Sequence, residues 1–98
     1  MARKTEKHAG GTSFHDTVLT ASVNDIVAIL GEPTIEDNTG QDKVNFEWIC
    51  ETENGDVFTI YDWKEYRPIS REETIEWHIG GMNRRVTERA LSEILHLV

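Results

Sequence analysis

The stretch KVNFEWICETENGDVFTIYDWK, Lys43 to Lys64, alternates apolar and polar residues on both sides of a turn. Val44, Phe46, Trp48 and Cys50 fall on one side, and Asn45, Glu47, Ile49 and Glu51 on the other. Glu53 to Asp56, ENGD, carries an Asn-Gly pair whose positive backbone angles suit a tight hairpin turn. On the return, Val57 to Lys64, Phe58 and Ile60 take one face while Thr59, Tyr61 and Trp63 take the other. A period of two kept across a turn is the pattern of an antiparallel hairpin with one face buried. Asp62 alone breaks it, falling on the apolar side. It is expected at the end of the sheet, paired with the Arg84/Arg85 region, or at a bulge.

Downstream, Thr74 to Ile79 alternates again, with Ile75, Trp77 and Ile79 against Thr74, Glu76 and His78. Gly80 and Gly81 then break the strand. A last helix follows, capped by Asn83, with a stripe of Val86, Ala90, Ile94 and Val98 flanked by Leu91, Leu95 and Leu97. Upstream of the hairpin, Ser22 with Asp25 three residues on has the form of a capping box with the shorter acid. Val23, Ile26, Val27 and Leu30 supply one apolar stripe, Gly31 a left-handed stop, and Pro33 forbids continuation. The segment TIEDNTGQD, residues 34–42, reads as a loop, and EYRPISREE, residues 65–73, as a connection in which Pro68 blocks a central strand. Phe14 to Ala21, rich in β-branched residues, reads as a short strand.

The expected order is (β)-α-β-β-β-α, an α+β fold. Its simplest form is an antiparallel meander of three to four strands with two helices packed on one face. Residues 1–13, MARKTEKHAGGTS, are polar and without period and read as a flexible basic arm, leaving 14–98 as a single domain. The 98 residues suffice for one core. No apolar run approaches the ~20 residues of a membrane span, and no apolar signal segment opens the chain, so a cytoplasmic protein without membrane contact is expected. The one cysteine, Cys50, has no internal disulfide partner and reads as a buried small hydrophobe.

Charge is uneven along the chain. Residues 32–76 hold thirteen acidic against four basic side chains, a net charge of −9. Such a surface repels nucleic-acid phosphate and favours a partner protein with a basic surface.

With the alternation as guide, Glu47, Thr59, Tyr61, Trp63, Glu76 and His78 share the face opposite the helices, the candidate protein-binding surface. Aromatic side chains among polar ones give large contact area at small entropic cost, although cross-strand aromatic pairs also stabilise open faces without a ligand. The same open face offers a route to self-association. An alternative site is an anionic small ligand, such as a nucleotide, held by Gly80, Gly81, Arg84 and Arg85 at a helix start, with Tyr61 or Trp63 stacking a base. His78 with Asp62, Glu76 or Glu47 has the residue types of a base and its orienter. No nucleophile motif accompanies them, and no second histidine stands at metal-ligand spacing, so the expectation is a non-enzymatic protein with no cofactor and no metal.

The combination of GEPT, FEW, GDVFTIYDWKEYR and WHIGG resembles a group of small uncharacterised proteins encoded by tailed bacteriophages. Those carry a Leu-Gly-Glu-Pro helix stop, an EW strand, an IYDWK-type strand and a WHIGG before a last helix. The resemblance spans roughly residues 10 to 95 and transfers no site residue. It implies a phage setting, in which small acidic accessory proteins bind and inhibit host proteins such as nucleases or defence complexes.

Overall fold

A computed structural model describes residues 1–97; Val98, the expected end of the last apolar stripe, lies outside them. Over the described residues the chain is an α+β fold of six strands and two helices: β1 (Arg3–Lys4), β2 (Ser13–Ala21), α1 (Val23–Leu30), β3 (Ile35–Glu36), β4 (Phe46–Glu51), β5 (Val57–Tyr61), β6 (Ile75–Gly81) and α2 (Arg84–Leu97). All strand pairs are antiparallel, in the order β1-β4-β5-β6-β2, with β3 also on β4. The expected meander is β4-β5-β6, and the strand read at Phe14–Ala21 closes it against β6.

The sheet is wider than three to four strands because two short segments share the free edge of β4. Ile35–Glu36, read as loop, pairs with Phe46 and Glu47. Arg3–Lys4, inside the segment read as an arm, pairs with Cys50 and Glu51. Residues 1–13 are therefore tied to the domain: Ala2 is buried, Thr5 N–H donates to Ile49 O at 3.1 Å, and Arg3 and Lys7 meet the Glu51 carboxylate at 3.1 and 2.6 Å. Led by the Lys7 contact, these cations hold the buried Glu51 carboxyl below its ordinary range.

One core lies between the sheet and the helices. Phe46, Trp48, Phe58, Ile60, Trp77 and Ile79 are fully buried against Val23, Ile26, Ala90 and Ile94, in the phase that the alternation predicts. Both buried indoles are satisfied, since Trp48 Nε1 donates to Gly31 O at 2.9 Å and Trp77 Nε1 to Ala21 O at 2.8 Å. The helix starts are closed as expected. Ser22 and Asp25 form a reciprocal capping box, and Asn83 Oδ1 accepts from Val86 N–H at 3.0 Å. Gly31, at φ 89°, ends α1 and donates to Val27 O.

The hairpin turn differs from the expected two-residue form. Beyond the Glu51–Val57 pair, Thr52 N–H donates to Asp56 O at 2.9 Å, enclosing the three residues Glu53–Gly55, and Gly55 N–H closes a turn onto Thr52 O at 2.8 Å. Only Gly55 of the Asn-Gly pair has positive φ, as a three-residue loop with one left-handed position requires.

Asp62 does not reach Arg84 or Arg85. Fully buried, it accepts from the N–H groups of Asn45 and Phe46 at 2.8 Å each and from Asn45 Nδ2 at 3.1 Å. Asn45 Nδ2 also donates to Arg67 O at 2.9 Å, and Asn45 Oδ1 accepts from Gly40 N–H at 3.0 Å. This polar knot stops β4 short of Asn45, turning Asn45 inward. Val44, expected in the core, lies instead beside Tyr61 and Trp63.

Candidate functional site

Among the described residues no helix packs on the face of the sheet away from the core, where Thr12 and Ser13 border Thr59 and Tyr61. Register alone builds a row across it: Glu47 on β4 opposes Tyr61 on β5, and Tyr61 opposes His78 on β6. On β2 the row continues through Val18, opposite His78, and Phe14, opposite Gly80. Between these two the strand holds two extra residues, with Asp16 at φ 67°. This bulge brings Phe14 over His78, with ring centroids 3.8 Å apart and planes 12° apart. Trp63, just past the end of β5, also runs near-parallel to His78, at 6.2 Å and 25°, and both Trp63 and His78 meet Tyr61 edge-on.

All six expected face residues sit on this side, but they are not equally available. Thr59 is buried at 3% exposure, whereas Trp63 is 40% exposed. Glu76 is exposed, and Glu47, Tyr61 and His78 are half-buried. Phe14, exposed and central to the row, was invisible as a site residue in the sequence, because a bulge rather than alternation aims it there. Its only sequence signal is the glycine it faces.

Gly80 and Gly81 belong to β6 rather than to the turn before α2. They pair with Thr59 and Phe58 on one side and with Phe14 and Ser13 on the other. Each makes room on a different face. A Cβ at Gly80 would lie 2.6 Å from Thr59 Oγ1 and 3.4 Å from Tyr61 Cε1, whereas one at Gly81 would lie 2.9 Å from Thr87 Cγ2 and 3.2 Å from Val86 Cγ1. The expected phosphate cradle is thus not assembled. The glycines are in the ladder, Arg84 is engaged by Glu88 at 2.9 Å, and the exposed start of α2 has only Asn83 as cap.

Electrostatically the face is mixed. Burial raises the Glu47 carboxyl above its ordinary value. Burial, aided by the Glu47 charge, also raises the Tyr61 hydroxyl. Burial lowers the His78 imidazole, against a smaller opposing pull from Glu76. Among the described residues neither Glu47 nor Glu76 has a cation within 4.0 Å. Lys43 and Lys64 approach the Trp63 ring at 5.8 and 5.6 Å from its centroid. A shallow concavity of 220 Å³ lies between Ser13, Val44, Glu47, Thr59, Tyr61 and Trp63.

One side-chain contact, Ser13–His15, and one thiol, Cys50, have the residue types of catalysis. Ser13 Oγ lies 3.2 Å from His15 Nε2, but the same nitrogen lies 3.1 Å from Gly81 O. An Nε2 that donates to that carbonyl cannot accept the serine proton. Cys50 is buried on the helix side, and burial pushes its thiol up to about 12. Among the described residues no three His, Cys, Asp or Glu side chains converge on a metal position, and no helix is long and apolar enough to cross a membrane.

No protein-family model matches the chain, and neither a curated protein nor a solved structure does so.

Proposed function

We propose that this chain is a non-enzymatic binding protein whose open sheet face docks a partner protein with a basic surface. The observation that carries this reading is the row of Phe14, His78, Tyr61 and Trp63 beside two carboxylates, Glu47 and Glu76, that have no cation within 4.0 Å among the described residues. Rigid aromatics anchored on a sheet are the side chains from which contact hot spots are built. A half-buried carboxylate whose charge burial disfavours is stabilised when a partner brings a Lys or Arg beside it. Surplus negative charge over residues 32–76 adds long-range attraction to the same class of partner.

The setting proposed with it follows the tailed-phage motifs: an accessory protein in the host cytoplasm that inhibits a host protein such as a nuclease or defence complex. The test is affinity capture from host lysate at two salt concentrations, using the wild type and the Glu47→Lys/Glu76→Lys double variant. A specific partner should be lost both at high salt and with the double variant. Capture that is indifferent to both, or a dimer formed through this face in place of a partner, would rule the reading out.

A further inference from the structure

Apart from its Phe14 end, β2 forms one outer edge of the sheet, with β6 on its inner side and no strand beyond it among the described residues. Nine residues is long for an edge, and Ser13–Ala21 contains neither lysine nor proline, the residues that most often blunt one. The bulge between Phe14 and Val18 disrupts only the first half. From Val18 to Ala21 the strand is regular, in continuous register with residues 75–78, so alternate main-chain groups there point away from β6, with the Ala21 carbonyl engaged by Trp77 Nε1.

That regular half borders an apolar groove of 500 Å³ between α1 and α2, lined by Leu19, Ala21, Ile26, Ile29, Ile94 and Leu97. Thr20 also borders it. Its Cα pairs with that of Glu76, whose side chain is on the opposite face, so the groove meets Thr20 at the strand's edge. Leu95, 57% exposed, and Ala28, also exposed, form part of the rim. A strand laid along Val18–Ala21 would therefore find hydrogen-bonding main chain at its side and an apolar slot under every second side chain, the two requirements of recognition by strand addition.

Charge selects the occupant. Asp25 lines the groove with its carboxyl held below the ordinary range by hydrogen bonds from Ser22. Glu76 flanks the edge on the other face, and Asp16 lies exposed at the bulge. No lysine or arginine lines the groove. A second copy of the chain would bring the same three carboxylates to the same edge, like charge against like, whereas a basic strand would neutralise them.

We propose that an extended peptide segment with alternating apolar and basic side chains adds to β2 over Val18–Ala21, its apolar residues entering the groove between α1 and α2. The probe is a ten-residue peptide alternating lysine and valine, with a glutamate–valine peptide as control, and the readout is amide exchange by NMR. Amides of Val18–Ala21 that exchange freely in the unliganded protein should gain at least about tenfold protection at saturation. Added salt should weaken binding, and the glutamate–valine peptide should give no protection. Ala28→Lys and Leu95→Lys, both at exposed positions, should lower affinity at least about tenfold without changing the melting temperature. Trp63→Ala should leave peptide binding unchanged, so that this site and the aromatic face can fail separately. The proposal is overturned by protection confined to residues around Tyr61 and Trp63, by equal binding of the acidic peptide, or by self-association that protects the same amides without peptide.

Discussion

The two faces of one sheet use the same kinds of residue to opposite ends. Under the helices, Phe46, Trp48 and Trp77 pack within 6.3 Å of one another and are wholly enclosed, with both indole N–H groups satisfied. On the other side, Phe14, Tyr61, Trp63 and His78 form an equally close aromatic set on which no described helix packs, with Phe14 and Trp63 exposed and Tyr61 and His78 half-buried. Strand alternation assigns Phe46, Trp48, Trp77, Tyr61 and His78 to their faces, the bulge in β2 brings Phe14 over His78, and the helices decide which face is core. Aromatic clustering on its own therefore does not separate structure from function. What separates them is coverage, together with whether neighbouring charges are neutralised.

The comparison breaks first if the covered face is not the stability determinant. Trp77→Ala and Trp48→Ala should each cost about 3–5 kcal/mol, measured by denaturant melts, as large core truncations do. Asp62→Ala should follow at about 2–4 kcal/mol, since it strands two main-chain N–H groups and the Asn45 amide in the interior. Gly81→Ala, which drives a methyl into Thr87 and Val86, should cost about 1–3 kcal/mol. A wild-type melt for any of these would show that the face is less tightly closed than its geometry indicates.

Charge linkage sharpens the contrast. Glu51 has a folded-state pKa depressed by Lys7 and Arg3, so its stabilisation is present above the unfolded value and lost as pH falls through the folded one. Removing residues 1–7 should lower the melting temperature by several degrees near neutrality, with the deficit shrinking in acid. On the open face, His78 is also depressed, so the fold keeps its full stability above the unfolded histidine value of 6.5 and loses part of it as pH drops below. His78→Phe should flatten that limb of the pH–stability curve. Smallest of all, Trp63→Ala should change stability by no more than about 0.5 kcal/mol.

Much of this contrast is legible in the sequence because a period of two needs only side-chain type. It places Trp48, Trp77, Phe58 and Ile60 inside and Tyr61, Trp63, Glu76 and His78 outside. Reading fails where the period stops. β1 and β3 are two residues each, too short to carry any periodicity, and are created by the free edge of β4. Asp62 announces a break, but its partner Asn45 is hidden by polarity that suits an exposed position equally well. A double glycine before a helix has the composition of a turn. Only the residues above and below it, Thr59 and Tyr61 on one face and Val86 and Thr87 on the other, reveal a strand that must be bare on both sides. Phe14 reaches the site through a bulge, which leaves no mark in the order of residues.

The central claim is that the uncovered face, and not the protein's overall acidity, engages a basic partner. It is tested most directly by measuring association and dissociation rates of the captured partner with wild type, Trp63→Ala and Glu47→Lys/Glu76→Lys, each shown to melt like wild type. Trp63→Ala should weaken affinity by about 2 kcal/mol, chiefly through faster dissociation. The double charge reversal should abolish measurable association, chiefly through slower encounter. Wild-type rates for both variants, in protein that is demonstrably folded, would contradict the account.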